Sequence, residues 1–291
     1  RTFVGCTAIV FGTACMGAVK YVPENMKVEL SLKVPGNNAV NYKLHPDKLE
    51  NSYFDYEWRS DNKLPITVFH KVEERDSCMR LTVQLTAAQD VYFNYRQLLS
   101  TGYRHDNCQF YMPGFWYRRN LRSPKKAPSF HTSDSWLVRE DRLSAPLTGI
   151  FSEKEKRFMT VNRLDDFSMD ALATHKEGEI ILSGKTSLGF TGFENQQGIA
   201  MLSFGFPYRE APKSYIRKLT LAPEVEAFQL MKKGESVLLT WEIMESGADD
   251  FSDFIQHTWE DCYDTYAPKP VENSYSIADM KQVLSCFFVN S

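Results

Sequence analysis

Apolar and polar residues alternate with a period of two along most of the chain from Met26 onward. In the segment MKVELSLKV, residues 26–34, every second residue is apolar, and the residues between them are charged or carry a hydroxyl. Such alternation predicts a β-strand with one buried and one exposed face. The same pattern recurs in the segments 66–72, 79–86, 91–98, 157–163, 179–183, 199–206 and 235–243.

Turn-forming residues separate the predicted strands, as in PGNN at 35–38, SDN at 60–62 and KEG at 176–178. Many short strands joined by turns, with no helical period between them, predict a mainly β fold. The pattern is typical of a large two-sheet antiparallel sandwich, expected here over residues 19–246. No Pro-, Gly- or Ser-rich linker divides this region.

After Gly247 the hydrophobic period lengthens to that of an α-helix. Asp249 or Asp250 is placed to cap the start of this helix and Pro268 to end it, so a linker helix is predicted within 247–268. We expect the helix to bury one face, which is formed by Phe251, Phe254, Ile255, Trp259 and Tyr263.

A second amphipathic helix is predicted over residues 275–291. Ser276 and Asp279 have the spacing of a capping box at its start. Its apolar stripe must be covered, either by the sandwich or by further helices, and we predict further helices. Without that cover, the stripe is expected to be exposed and to drive association. The stripe consists of Ile277, Met280, Val283, Leu284, Phe287 and Phe288.

Residues 1–18 differ from the rest, because no charge occurs between Arg1 and Lys20 and most residues are small or apolar. This composition resembles the apolar part of a secretory signal without its basic start, and GTAC, which ends at Cys15, resembles a lipoprotein cleavage box. We therefore predict an exported protein, periplasmic or held at the outer membrane through a lipidated Cys15. A buried first strand and a membrane anchor are the alternatives. Residues 1–18 are expected to pack poorly on the sandwich, and the chain to be a fragment cut at both ends.

Charge and cysteine usage narrow the classes of partner. The 34 Lys and Arg residues nearly balance the 37 Asp and Glu residues, so no basic field draws in nucleic acid, and membrane contact is expected only through a lipid anchor. The remaining cysteines lack the close spacing of a metal or redox motif, so neither a metal nor a cofactor is expected. Cys78, Cys108, Cys262 and Cys286 are predicted to be isolated buried thiols, with a Cys78–Cys108 disulfide as the alternative.

A large sandwich, a linker helix and the first helix of a helical domain, in that order, resemble the six-hairpin glycosidases. In these families an N-terminal supersandwich precedes an (α/α)6 toroid. The segments 112–151 and 230–243 also resemble glycan-degrading proteins of gut Bacteroidota. The resemblance implies a glycoside hydrolase whose catalytic carboxylates lie beyond Ser291, so no catalytic residue is assigned. It implies two partners, a polysaccharide or oligosaccharide and the protein's own C-terminal helical domain.

The segment FYMPGFWYRRNLRSP, residues 110–124, combines aromatic rings with arginines. If residues 115–122 are extended, Trp116, Arg118 and Arg122 share one face of the strand. A sugar ring stacks its C–H face on an aromatic ring, and a uronate carboxylate suits a guanidinium, so this face predicts binding of acidic glycans. The alternative is that Trp116 packs against the helical domain while the arginines pair with nearby acids.

The adjacent carboxylates Glu140 and Asp141 are a poor catalytic pair, because neighbouring strand residues face opposite sides. We expect them to form ion pairs with Arg139 and Arg142. Two alternatives to the hydrolase remain, a non-catalytic glycan-binding module and a β-sandwich polysaccharide lyase that would use His131 as base and Arg118 to neutralise a uronate. The predicted substrate-binding residues are Trp116, Tyr117, Arg118, Arg122, His131 and Trp136.

Overall fold

A computed structural model of the chain describes residues 21–75, 78–120, 129–165, 178–217, 220–222, 224–267 and 276–290. The predictions for residues 1–18, for Cys15 and for Arg122 lie outside these described residues. Within them the chain is mainly β with two α-helices, as the sequence predicts.

Each segment predicted from alternation contains a strand. In chain order they are β1 Met26–Lys33, β2 Val40–Lys48, β3 Tyr56–Arg59, β4 Ile66–Glu74, β5 Cys78–Ala87, β6 Val91–Arg104, β7 Cys108–Met112, β8 Trp116–Arg118, β9 Ser135–Arg139, β10 Leu147–Ser152, β11 Arg157–Arg163, β12 Gly178–Ile181, β13 Phe190–Gln196, β14 Ile199–Phe206, β15 Arg209–Glu210, β16 Lys213–Arg217, β17 Thr220–Ala222, β18 Val225–Met231 and β19 Ser236–Gly247. The helices are α1 Phe251–Tyr266 and α2 Ile277–Asn290.

Two antiparallel sheets form the sandwich. Sheet A has the strand order β2-β1-β6-β14-β13-β9. Sheet B has the order β3-β4-β5-β19-β11-β10-β7-β8, and β2 joins the sheets by pairing with both β1 and β3. A small layer departs from the predicted antiparallel pattern, because β12 pairs with β18 in parallel.

The core lies between the sheets, where alternate side chains of each strand point inward. Along β5 the inward residues Leu81, Val83 and Leu85 are fully buried. Aromatic rings meet across the core: the ring centroid of Trp241 in β19 lies 5.1 Å from that of Phe204 in β14. Burial of these large apolar side chains is the main favourable term for the fold.

Helix α1 is capped as predicted, because the carboxylate of Asp250 accepts hydrogen bonds from the backbone amides of Ser252 at 2.7 Å and Asp253 at 3.0 Å. These two donors hold the pKa of Asp250 below its usual value, since they favour the ionised carboxylate. The predicted buried face is wrong beyond the first turn. The buried residues are Phe251, Phe254, Thr258 and Cys262, whereas Trp259 and Tyr263 are exposed.

The start of α1 is fixed to sheet B by one aromatic side chain. Phe254 lies over Gly149 of β10, where an added Cβ would come within 2.6 Å of the phenyl ring. Its ring centroid lies 5.0 to 6.2 Å from those of Phe158, Phe151 and Tyr111 on β11, β10 and β7.

The chain divides into two compact units, residues 1–256 and residues 257–291. In the second unit, α2 exposes part of the predicted apolar stripe, as expected: Ile277 is 73% exposed and Val283 is 66% exposed, with Leu284 and Met280 also exposed. No helix in the described part of the chain is both long and apolar enough to cross a membrane.

The capping box of α2 yields a local test. The Ser276 hydroxyl accepts the Asp279 amide at 3.1 Å, and the Asp279 carboxylate accepts the Ser276 amide at 2.9 Å. Ser276→Ala removes the first bond and should cost the helix about 1 kcal/mol. We expect faster amide hydrogen exchange at residues 277–280, measured by NMR. The control Ser285→Ala, at an exposed interior position of α2, should not speed exchange, and equal exchange in Ser276→Ala and wild type would contradict the cap.

Candidate functional site

Both tryptophans that were predicted to bind substrate are part of the core. Trp116 and Trp136 are fully buried, and their ring centroids lie 5.0 Å apart. The Trp116 indole N–H donates to the backbone carbonyl of Arg118 at 2.9 Å, and the Trp136 indole N–H donates to that of Ser133 at 3.2 Å. Neither ring has an accessible face, so neither the stacking predicted for Trp116 nor the substrate binding predicted for Trp136 fits the structure.

The shared strand face predicted for Trp116 and Arg118 is also wrong. Arg118 has a φ of 57° and Asn120 a φ of 49°, so the extended backbone ends at Arg118. Alternation therefore stops, and Trp116 is buried while Tyr117 and Arg118 are exposed. The Arg118 guanidinium lies over the ring of Phe251, 5.2 Å from its centroid.

His131 is exposed and lies edge-on to the ring of Phe130, with the centroids 5.1 Å apart. In the part of the chain that the structure describes, no hydrogen bond, ion pair or ring contact joins His131 to Arg118. The lyase roles of His131 as base and Arg118 as cation stay predictions. Sugar binding by Tyr117, Arg118 and His131 stays a prediction.

The charged segment after β9 is structural. Arg139 pairs with Asp141 at 2.7 Å, as predicted, and both side chains are buried. Glu140 pairs instead with Arg163 of β11 at 2.6 Å, and Arg142 pairs with Glu210 at 2.6 Å. Burial raises the pKa of Glu140 above its usual value, although the Arg163 charge opposes this rise.

The predicted burial holds for three of the four cysteines. Cys78, Cys108 and Cys262 are buried, whereas Cys286 is exposed, so the burial predicted for Cys286 is wrong. Cys78 and Cys108 do not form the alternative disulfide. Burial raises the pKa of Cys108 to about 12, which leaves this thiol protonated and unreactive at neutral pH.

Polar residues gather on the outer face of sheet A, the face that points away from the core. At its centre the guanidinium of Arg96 in β6 donates to Glu29 of β1 at 3.2 Å, to the Ser203 hydroxyl of β14 at 3.3 Å and to Glu194 of β13. Four strands thus hold one guanidinium in a fixed orientation. Such charge-assisted bonds are stronger than neutral ones.

A cleft of about 380 Å³ opens beside Arg96, and we call it the sheet A cleft. Its polar lining comprises the carboxylates of Glu194 and Glu224, the Arg96 guanidinium and the hydroxyl-bearing residues Ser133 and Ser135. Its apolar lining comprises Leu137, Ala211 and Pro212.

Acidic groups outnumber basic groups around this cleft. Arg209 pairs with Glu224 at 2.7 Å and with Glu226 at 3.1 Å. Burial and the nearby Arg209 charge lower the pKa of Arg96, against the opposing effect of Glu29. Arg96 therefore has its charge balanced by the protein's own carboxylates and does not offer an uncompensated cation to a ligand.

A second polar cluster lies inside the core and includes a histidine that the sequence did not single out. The Tyr21 hydroxyl lies 3.0 Å from His70 Nδ1, and the Tyr95 hydroxyl lies 3.0 Å from His70 Nε2. Tyr95 donates its proton to Gln97 Oε1 at 2.7 Å. Tyr95 must then accept from His70, so His70 carries its proton on Nε2 and its Nδ1 accepts from Tyr21. Burial lowers the pKa of His70 to about 3.

No family model matches the chain, and no curated protein matches it. Solved structures that resemble it include a polysaccharide lyase, at 14% identity over 80% of this chain and 27% of the lyase, with a TM-score of 0.37. A putative aldose 1-epimerase from Escherichia coli K12 has 8% identity over 75% of this chain and 79% of the epimerase, with a TM-score of 0.38. An alpha-galactosidase from Lactobacillus brevis has 7% identity over 77% of this chain and 29% of the galactosidase, with a TM-score of 0.29.

The chain thus spans less than a third of the length of the lyase and of the galactosidase. All three neighbours are named for carbohydrate chemistry, which is a property of those proteins. Identities and TM-scores this low do not assign the chain to a family or to an activity, so functional arguments rest on its own residues.

Proposed function

We propose that the sandwich is the supporting and sugar-contacting domain of an exported glycan-degrading glycoside hydrolase, and that the sheet A cleft is where it contacts the glycan. The observation that carries this proposal is the composition of the cleft, in which fixed polar groups surround a small apolar surface. Export, with lipidation of Cys15, belongs to the same proposal and rests on the sequence of residues 1–18 alone.

The chemistry of the cleft suits a sugar. Sugar hydroxyls donate and accept hydrogen bonds, while the C–H groups of the ring are apolar. Glu194 and Glu224 supply acceptors, and Leu137, Ala211 and Pro212 supply apolar contact. Small-molecule sites have volumes of roughly 300 to 1,000 Å³, so a cleft of about 380 Å³ fits one or two sugar rings.

The rigidity of the cleft supports the same function. Arg96 is held by Glu29, Glu194 and Ser203, and these bonds also fix the Glu194 carboxylate. A carboxylate fixed before the ligand arrives loses little conformational entropy on binding. This preorganisation compensates for the small number of contacts that one ring can make.

Helix α2 supports the second half of the proposal, that the domain braces a helical catalytic domain of the same protein. Its exposed residues Ile277, Met280, Val283 and Leu284 recur at helical spacing and form one apolar stripe. An exposed stripe of this kind is typical of a surface that another helix covers.

A non-catalytic glycan-binding module is the alternative function, and it would use the same cleft. The absence of glycan cleavage in the full-length protein would distinguish this alternative from the hydrolase.

Binding to a glycan array, followed by calorimetry on the best ligand, tests the cleft. Glu224 is a suitable change because its side chain is 52% exposed, so its loss should leave the fold intact. Glu224→Ala should weaken sugar binding about fivefold or more, since it removes an acceptor and releases Arg209.

The matched control is Asp90→Ala, which removes a carboxylate of similar exposure, 55%, from a pair with Lys232 that does not line the cleft. Equal affinity in Glu224→Ala and wild type, or an equal loss in the control, would count against the cleft. Failure to bind any sugar on the array would overturn the proposed function.

A further inference from the structure

The sheet A cleft is followed, along the same face, by a second cavity. This cavity has a volume of about 470 Å³, and we call it the Lys27 cavity. Its apolar floor is formed by Ile199 and Met201 of β14, and its polar rim includes Glu24, Lys27, Ser100 and Gln196.

Strand geometry places the two cavities in line. Gln196 follows Glu194 by two residues in β13, and Ser100 follows Arg96 by four residues in β6, so each pair lies on the same side of sheet A. At about 3.3 Å per residue, these offsets are about 7 Å and about 13 Å. The strands β6 and β13 run in the same direction, because both pair antiparallel to β14. The second cavity is therefore displaced from the first along the strands, by more than the length of one sugar ring.

Polar groups at the second cavity are positioned for a neutral ligand. Lys27 donates to Gln196 Oε1 at 2.5 Å, which fixes the side-chain amide of Gln196. The other half of that amide, the Nε2 donor group, has no acceptor among the described residues and lines the cavity. A fixed amide donor above an apolar floor suits a sugar hydroxyl above the C–H face of its ring.

The charges along this face disfavour an acidic glycan. Arg96 is already paired with two carboxylates, and Lys27 shares its cavity with the acidic residue Glu24. A uronate carboxylate would meet more like charges than opposite ones, and like-charge contacts lower affinity. The acidic residues are Glu24, Glu29, Glu194, Glu224 and Glu226, and the basic residues are Lys27, Arg96 and Arg209.

We propose that the outer face of sheet A is a two-site groove for a neutral linear oligosaccharide, with one ring in the sheet A cleft and a later ring in the Lys27 cavity. This inference rests on the proposed sugar-binding function and differs in charge class from the acidic glycans that the sequence predicts from Trp116, Arg118 and Arg122. It also implies that affinity rises with chain length, since a longer ligand occupies both cavities.

An array of neutral, uronate and amino-sugar ligands, from monosaccharides to hexasaccharides, tests the groove on the chain as it exists. Neutral oligosaccharides should bind more tightly than the corresponding uronates and more tightly than their own monosaccharides. Gln196→Ala should weaken oligosaccharide binding about five- to tenfold. The matched control is Gln84→Ala, another half-buried strand glutamine, which lies on sheet B and should leave oligosaccharide binding unchanged.

The outcomes separate the two proposals. If a monosaccharide binds in the cleft but affinity does not rise with length, or Gln196→Ala has no effect on oligosaccharides, the groove is overturned and the proposed function stands. A preference for uronates or amino sugars over neutral sugars also overturns the groove alone. If no sugar binds, both proposals fail.

Discussion

Arg163→Met is expected to destabilise the sandwich by about 3–5 kcal/mol, because it leaves the buried Glu140 carboxylate without its counter-ion. Glu140 is 0% exposed, and Arg163 donates to it at 2.6 Å. The only other bond that the structure describes to that carboxylate is from the Gly189 amide at 2.7 Å. Methionine keeps most of the apolar volume of the arginine side chain, so the loss reports the charge rather than a cavity.

Urea unfolding followed by tryptophan fluorescence measures this effect, since Trp116, Trp136 and Trp241 are all in the core of the sandwich. Arg59→Met is the matched control. Arg59 pairs with Asp47 at 2.8 Å, but the two side chains are 57% and 52% exposed, so its loss should cost at most about 1 kcal/mol.

A double variant separates the pair energy from the penalty of a buried charge. Glu140→Gln combined with Arg163→Met removes both charges and should recover part of the stability lost in Arg163→Met alone. If Arg163→Met unfolds at the same urea concentration as wild type, Glu140 is not held as a buried carboxylate. If the double variant is less stable than Arg163→Met, the attribution to an uncompensated charge is wrong.

Alternation predicts strands such as β1, in which Val28 and Leu30 are buried while Lys27 is exposed. It also predicts β11 and β14, although every residue after the first in each of these strands is buried. Other strands buried on both sides have no such period. All residues of β7 and of β10 are buried, so their segments were not predicted as strands.

Helix α1 shows a different limit. Its start, its cap and its first two buried residues, Phe251 and Phe254, follow from the sequence. The next buried positions are Thr258 and Cys262, which are less apolar than the exposed Trp259. Hydrophobicity alone therefore misplaces the buried face after the first turn.

The candidate site could be predicted only in part. Alternation places Arg96 on the polar side of β6, but no local pattern shows that β6 and β13 flank the same strand, β14. The strand face predicted for the segment 110–124 is wrong for a local reason. Its extended backbone ends at Arg118, whose positive φ is uncommon for a residue other than glycine or asparagine and has no signature in the sequence.

The second large effect is loss of stability in acid through His70. His70 is fully buried, and burial lowers its pKa to about 3, whereas an unfolded histidine titrates near 6.5. Between these two pH values the unfolded chain binds a proton at this position that the folded chain does not bind. Unfolding is therefore favoured as the pH falls, and the contribution of His70 is fully present only above about pH 6.5.

The size of this loss of stability follows from the dependence of the free energy of unfolding on pH. One proton bound only by the unfolded state costs about 1.4 kcal/mol for each pH unit below 6.5, so the total loss is on the order of 5 kcal/mol when the pH reaches the folded pKa. The hydrogen bonds of the His70 ring oppose its protonation in the folded protein. Both ring nitrogens are already bonded, Nδ1 as acceptor from Tyr21, so protonation of Nδ1 requires the Tyr21 hydroxyl to turn its proton away from the ring.

His70→Gln tests this account, because glutamine can donate to one tyrosine and accept from the other but does not titrate. The variant should lose less stability than wild type between pH 6.5 and pH 4, with a slope smaller by about 1.4 kcal/mol per pH unit, measured by urea unfolding at several pH values. His131→Gln, at an exposed position, is the control and should keep the wild-type slope. Parallel stability curves for His70→Gln and wild type would show that His70 does not resist protonation in the folded protein.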